Sequence, residues 1–215
     1  MEVNAQEIDE SFVQECANAL NLTFSRRYEE AIPVYENIIA TLKKQNSSPE
    51  NMAIWLKGLG TCKLYTGKTG EAENIYLEAL KSIDAPQYAN AKIVRQLLDA
   101  LSVLYVQTQN YEKANKYNSK AKNSYEENID FGDDYVRCLS NAALIQAGMG
   151  YNTLAKMFVD VSLRQAKSNL NDQSAYSETI NNLSSLIDGN GNASLKENSY
   201  IILRILPYIT MLNNA

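Results

Sequence analysis

Histidine is absent from this 215-residue chain. Its absence removes the commonest general base and the commonest metal ligand. Glycine and proline are scarce, at nine and four residues, which argues against a strand-and-turn protein and for long helices. The three cysteines, Cys16, Cys62 and Cys138, are odd in number, far apart and in no Cys-x-x-Cys pair. They read as free thiols packed as small hydrophobes in helices, which fits a reducing compartment. Basic residues are too few to offset the acidic ones, and a net charge of −5 suits a general binder of nucleic-acid phosphates poorly. The acidic start, Met1 to Glu10, has neither the basic nor the apolar region of a secretory signal. The most apolar window, Tyr200 to Leu212, holds 10 apolar residues in 13 but includes Arg204 and Pro207 and is too short to span a bilayer. A cytoplasmic protein is expected, with no membrane, nucleic-acid, metal or cofactor partner.

What the chain does have is helical periodicity. Apolar residues recur at i, i+3, i+4 and i+7 nearly throughout, and no segment alternates as a strand does. Breaks at Gly, Pro, Asn and Asp clusters divide the chain into ten expected helices in five hairpins: 6–25 with 28–45, 50–66 with 69–83, 87–108 with 111–128, 134–149 with 152–169, and 174–188 with 195–212. Ser48-Pro49 supplies an N-cap and a first-turn proline. Ser194-Leu-Lys-Glu197 reads as a capping box, and Gly67, Gly150 and Gly189 stand where helices must stop. Four alanines, Ala31, Ala72, Ala114 and Ala155, follow one another at spacings of 41, 42 and 41 residues, each early in the second helix of a hairpin. A period of this size marks a solenoid of stacked hairpins, each burying its apolar face against its neighbours.

Aligned on those alanines, the segments resemble the tetratricopeptide repeat. The second repeat carries Leu59-Gly60, Gly67, Ala72, Tyr76 and Ala79-Leu80 on the family's pattern positions. The third keeps Leu101, Tyr105, Tyr111, Ala114 and Ala121, and the first keeps Leu22, Tyr28, Ala31, Tyr35 and Ile38. The fourth keeps Gly150, Ala155 and Leu163, with Ala142-Ala143 in place of Leu-Gly. The fifth is degenerate, with Lys196 where the alanine belongs. The usual period is about 34 residues, so the helices and loops here are about a turn longer. The resemblance implies an all-α, right-handed superhelical solenoid of about five antiparallel hairpins. It forms one array over residues 1–215, with repeats near 6–45, 50–83, 87–128, 134–169 and 174–212.

In this family ligands usually lie along the concave surface built by the first helix of each hairpin. Carried over by position, that surface presents Cys16, Leu20, Thr23 and Phe24, then Lys57, Thr61, Leu64 and Tyr65. Next come Gln96, Asp99, Val103 and Gln107, then Arg137, Asn141 and Leu144, and last Glu178, Asn181, Asn182 and Ser185. It grades from apolar and aromatic at its start to amide-rich at its end. Phe24, Lys57, Thr61, Tyr65, Gln96, Arg137, Asn141 and Asn182 are the candidate contacts for a bound peptide or protein. Asn141 and Asn182 take a position at which some relatives use Asn to hold a peptide backbone, since an amide donates and accepts at once; each also reads as a solvated or internally bonded amide. Arg137 reads either as half of a salt bridge or as a partner for an acidic ligand group. Gly58 and Ala100 stand where the chaperone-binding subclass needs polar clamp residues, which excludes a terminal-carboxylate ligand of that kind.

Other charged groups read as structural. Lys113, Lys116, Lys120 and Lys122 form a solvated helix face, and Asp133-Asp134 reads as capping at a helix start. The last helix is the exception. A terminal repeat ordinarily turns a polar face outward, yet Tyr200, Ile201, Leu203, Tyr208 and Met211 leave apolar residues on most sides. They read as a self-association surface, possible homodimer contacts, or an edge where a longer protein continues, unless Pro207 bends the helix so that both faces are covered. The function expected is a non-catalytic scaffold that binds a protein or peptide segment. The alternative is a sensor or assembly module of a larger regulatory protein acting through that last helix.

Overall fold

In the computed structural model, described for residues 10–169 together with Leu183, Ser184 and Ile187, every regular element is helical. Eight α-helices follow one another: α1 (Glu10–Phe24), α2 (Tyr28–Lys44), α3 (Pro49–Tyr65), α4 (Thr69–Ser82), α5 (Lys92–Gln107), α6 (Tyr111–Glu127), α7 (Asp133–Gly148) and α8 (Asn152–Asn169). They fall into two compact units that divide between Ala85 and Pro86. In the first unit α1 packs on α2, α2 on α3 and α3 on α4. In the second, α5 packs on α6, α6 on α7 and α7 on α8, and α5 also touches α7. Among the described residues each unit thus holds two successive helical hairpins. The expected fifth hairpin lies outside the described residues apart from Leu183 and Ile187, which are buried, and Ser184.

The four alanines of the sequence ladder are all at 0% exposure. Each lies early in the second helix of a hairpin, on the face packed against the neighbouring helices. Tyr35 and Tyr76, one turn on from Ala31 and Ala72, are at most 2% exposed, and Tyr125 is buried in a cluster with Ala121, Tyr135, Cys138 and Leu139. Gly60 belongs to the same packing logic: an added Cβ there would come within 2.5 Å of the Tyr76 ring.

The turns repeat as faithfully as the alanines. Arg26, Gly67, Gln109 and Gly150 stand five residues before their alanines, and all four have positive φ, at 59°, 80°, 59° and 85°. At each, the next amide reaches back six residues inclusive: Arg27 N–H donates to Leu22 O (2.8 Å), Lys68 to Lys63 O (2.9 Å), Asn110 to Tyr105 O (2.8 Å) and Tyr151 to Gln146 O (2.8 Å). This left-handed helix stop satisfies carbonyls that the helix end would otherwise leave open.

Ser48 caps α3 as the sequence indicates, its hydroxyl accepting from Asn51 N–H at 3.2 Å. Two expectations need correction. The fifth helix begins at Lys92 rather than near residue 87, because Pro86–Tyr88 forms a separate 3-10 turn. There Ala89 N–H donates to Pro86 O and Ala91 N–H to Tyr88 O, and Ala91 is extended as the N-cap of α5. Asp133 and Asp134 do not cap α7. Gly132 is its N-cap, without a side-chain bond, and Asp134 turns instead toward α5.

Candidate functional site

In the first unit, α1 shows three faces. Its buried face carries Ala19, Leu22 and Thr23. A polar face carries Ser11, Gln14, Asn18 and Asn21, which with Asn37 of α2 line a shallow open depression of about 480 Å3. The third face carries Val13, Leu20 and Phe24, at i, i+7 and i+11, exposed at 50%, 42% and 39%. Among the described residues this row is an exposed apolar strip.

On α3, Ile54, Lys57, Thr61 and Tyr65 share one face by the same spacing. Ile54 is 48% exposed and Lys57 half-buried. Thr61 donates to Lys57 O at 2.9 Å and lies 3.1 Å from the Tyr76 hydroxyl. Tyr65 is buried and stacks on Tyr28 with ring centroids 4.9 Å apart. Below them Thr23 Oγ1 lies 2.9 Å from Ala19 O, 3.1 Å from the Tyr35 hydroxyl and 3.6 Å from Cys62 Sγ. Burial pushes the Tyr35 phenol up to about 12 and the Cys62 thiol up to about 11. Both groups stay neutral, as inert members of the core do.

In the second unit a polar network joins α5 to α7. Arg137 Nε donates to Asp99 Oδ2 at 2.8 Å, and Arg137 Nη2 lies 3.1 Å from Asp134 Oδ1. Asp134 Oδ2 accepts from Gln96 Nε2 at 2.8 Å and from Lys92 Nζ at 3.3 Å. Asn141 Nδ2 donates to Asp99 Oδ1 at 2.9 Å. Asp99 is 1% exposed and Asn141 0%. Burial disfavours the Arg137 charge, but Asp99 and Asp134 outweigh it and hold the guanidinium pKa well above its ordinary value. One buried group in the network lacks a partner, the Asn141 Oδ1 acceptor. Nearby, Arg95 pairs with Asp130 at 2.9 Å and lies 5.5 Å from the centroid of the Tyr125 ring.

No protein-family model matches the chain, and no curated protein matches its sequence. Solved structures do match. BtubC (BKLC) from P. vanneervenii superimposes with a TM-score of 0.71 at 13% identity, over 94% of this chain and 80% of that one. The nearly identical TPR-like repeats of a kinesin light chain from Podosopora anserina superimpose with a TM-score of 0.67 at 11% identity, over 95% of this chain and 100% of that one. The fold is tetratricopeptide-like.

Within this tetratricopeptide-like fold, α1, α3, α5 and α7 are the first helices of their hairpins. Of the sequence-derived residues, Phe24 stands open to solvent and Lys57 is half-buried, while Thr61 and Tyr65 are engaged within their unit. Gln96, Arg137 and Asn141 are brought together, through Asp134 and Asp99. Arg137 takes the salt-bridge alternative of its two readings, and Asn141 the internally bonded one, with its Oδ1 left over. Asn182 and the interface candidates Tyr200, Ile201, Leu203, Tyr208 and Met211 lie outside the described residues.

Sequence reasoning missed Val13 and Ile54 on the exposed apolar faces, and Lys92 in the network. A signal for the last existed. Lys92 and Asp134 stand 42 residues apart, as do Asp99 and Asn141, so equivalent positions of successive repeats meet. The lysines of α6 behave as a solvated face: Lys122 pairs with Glu126, and Lys113 lies over the Tyr105 ring.

Proposed function

We propose that this chain is a non-catalytic scaffold that binds a protein or peptide segment along the first helices of its hairpins, in a reducing cytoplasm. The observation that carries the reading is the row Val13, Leu20 and Phe24 on α1, apolar and open to solvent. Fully burying a Leu or Phe side chain gains roughly 1.5–3 kcal/mol. These side chains are already partly covered, so each offers a partner a fraction of that. Together they supply an apolar anchor site, which Ile54 and the stem of Lys57 extend on α3. The second unit contributes a different surface, polar and set by Gln96 and Arg137, with Asn141 beneath holding Asp99 in place. Thr61 and Tyr65 position the α3 face rather than touch the ligand. Asn182 keeps its place in the proposal through its sequence position alone.

The test is selection of binders from a random peptide library, followed by affinity measurements on Leu20→Ser and Phe24→Ser. Neither residue belongs to the buried core, so the variants are expected to keep their fold with a modest loss of melting temperature, checked by circular dichroism. Loss of binding by roughly tenfold, equivalent to 1.4 kcal/mol, is the expected result for each. An empty selection, or equal binding by wild type and both variants, overturns the proposal.

A further inference from the structure

The network between α5 and α7 leaves one buried acceptor unmet, Asn141 Oδ1. Its ion pairs run in series: Lys92 Nζ to Asp134 Oδ2 at 3.3 Å, Asp134 Oδ1 to Arg137 Nη2 at 3.1 Å, and Arg137 Nε to Asp99 Oδ2 at 2.8 Å. These four charges cancel. Asp133, next to Asp134 on α7, adds one more negative charge, and desolvation and the neighbouring Asp134 raise its carboxyl pKa. A separate observation points the same way. Asn141 gives its Nδ2 to Asp99, while its Oδ1 is closed off from solvent and has no donor. Buried carbonyl oxygens in native proteins nearly always have one. A surplus of negative charge and an unmet acceptor both call for a group that carries N–H donors and a positive charge.

We infer that the polar surface on α5 and α7 takes a basic side chain, Lys or Arg, of the partner segment. This rests on the reading of the chain as a protein-binding scaffold and specifies the chemistry of what it binds. An acidic ligand is disfavoured, because Arg137, the one deeply set cation of the series, is already held between two carboxylates. Lys92 marks where the incoming cation enters. Its side chain is 59% exposed and its bond is the longest of the series, so a ligand cation replaces it on Asp134 at small cost. Contact with Asn141 Oδ1 then requires side-chain movement within the network, which the departure of Lys92 begins.

The probe is a phage-displayed library of random dodecapeptides panned against the full chain. Selected peptides are then synthesised with each Lys and Arg replaced by Gln or by Glu. The expected result is a basic residue whose change to Gln weakens binding several-fold and whose change to Glu weakens it further. Asp133→Asn weakens binding of the parent peptide. Lys92→Gln strengthens it, because a competing cation is gone; a role for Lys92 in holding the structure alone would not produce a gain. Peptides whose basic residues are dispensable, peptides enriched in Asp and Glu, or weaker binding by Lys92→Gln overturn the inference while leaving the scaffold reading intact. A library that yields no binder sinks both.

Discussion

Gln109 and Gly150 hold the same left-handed backbone conformation, at φ of 59° and 85°, at the same step of successive hairpin turns. Glycine adopts it freely, whereas an L side chain there costs roughly 1–2 kcal/mol. Gln109→Gly is therefore expected to stabilise the protein by about 0.5–1 kcal/mol, the strain relieved less the extra chain entropy of glycine. Gly150→Gln is expected to destabilise it by a similar amount. Ile129 is a stronger case, since a β-branched residue at φ of 54° and 78% exposure combines strain with an absence of compensating burial. Urea unfolding followed by circular dichroism ranks the three, and a loss of stability in Ile129→Gly would contradict the argument.

Gly60 and Gly70 separate packing from backbone effects. A methyl group at Gly60 would lie 2.5 Å from Cε1 of Tyr76, a ring 1% exposed and held at its hydroxyl near Thr61. Gly60→Ala is expected to cost about 1–3 kcal/mol through overpacking. At Gly70, in the first turn of α4, nothing lies within 4 Å of the added Cβ. Gly70→Ala is expected to gain about 0.5–1 kcal/mol from helix propensity. Thermal melts of the two variants should move in opposite directions.

The regular part of the fold was legible because it repeats. One alanine and one left-handed residue per period are local requirements, and each leaves a mark at a fixed spacing in the chain. Among the described residues the helix boundaries followed except at Pro86–Tyr88, where a tight turn competes with the helix over a few residues, a difference that periodicity does not register. The site was harder to read. Position along the repeat brings Gln96, Arg137 and Asn141 to one surface, but the same position faces α5 toward α7, so these residues meet one another before they meet a ligand. Asp134 shows why: as a first-turn carboxylate it suits the helix dipole, and only the contact with α5 reveals its pairing with Lys92 and Gln96.

Alkaline pH should unfold the first unit over a defined window. Burial raises Cys62 from 9.0 to about 11 and Tyr35 from 10.0 to about 12. The unfolded chain therefore releases these protons at lower pH than the folded one. Stability from both groups is fully present below pH 9.0 and is lost as pH rises through about 11 for Cys62 and about 12 for Tyr35. Urea midpoints should be flat from neutral pH to about 9 and fall steeply beyond it. In Cys62→Ala the fall should begin nearer the ordinary tyrosine range. A profile that is unchanged by that substitution would remove Cys62 from the account.

Asp99 and Arg137 provide the sharpest test of the network. Removing one member of a buried ion pair leaves an uncompensated charge and costs about 3–5 kcal/mol, whereas replacing both with apolar residues of similar size is often close to neutral. Asp99→Leu strips Arg137 of its 2.8 Å partner and Asn141 Nδ2 of its acceptor at 2.9 Å. It should be among the most damaging single changes in the second unit. Adding Arg137→Met should restore much of the loss, because the buried cation, left with Asp134 alone as its partner at 3.1 Å, is gone and Asp134 retains Lys92 and Gln96. Recovery should stay incomplete by about 1–3 kcal/mol, the cost of a buried amide donor with no acceptor. A further Asn141→Leu in the double mutant should recover part of that remainder. A double mutant no more stable than Asp99→Leu alone would show that the two side chains do not act as a pair.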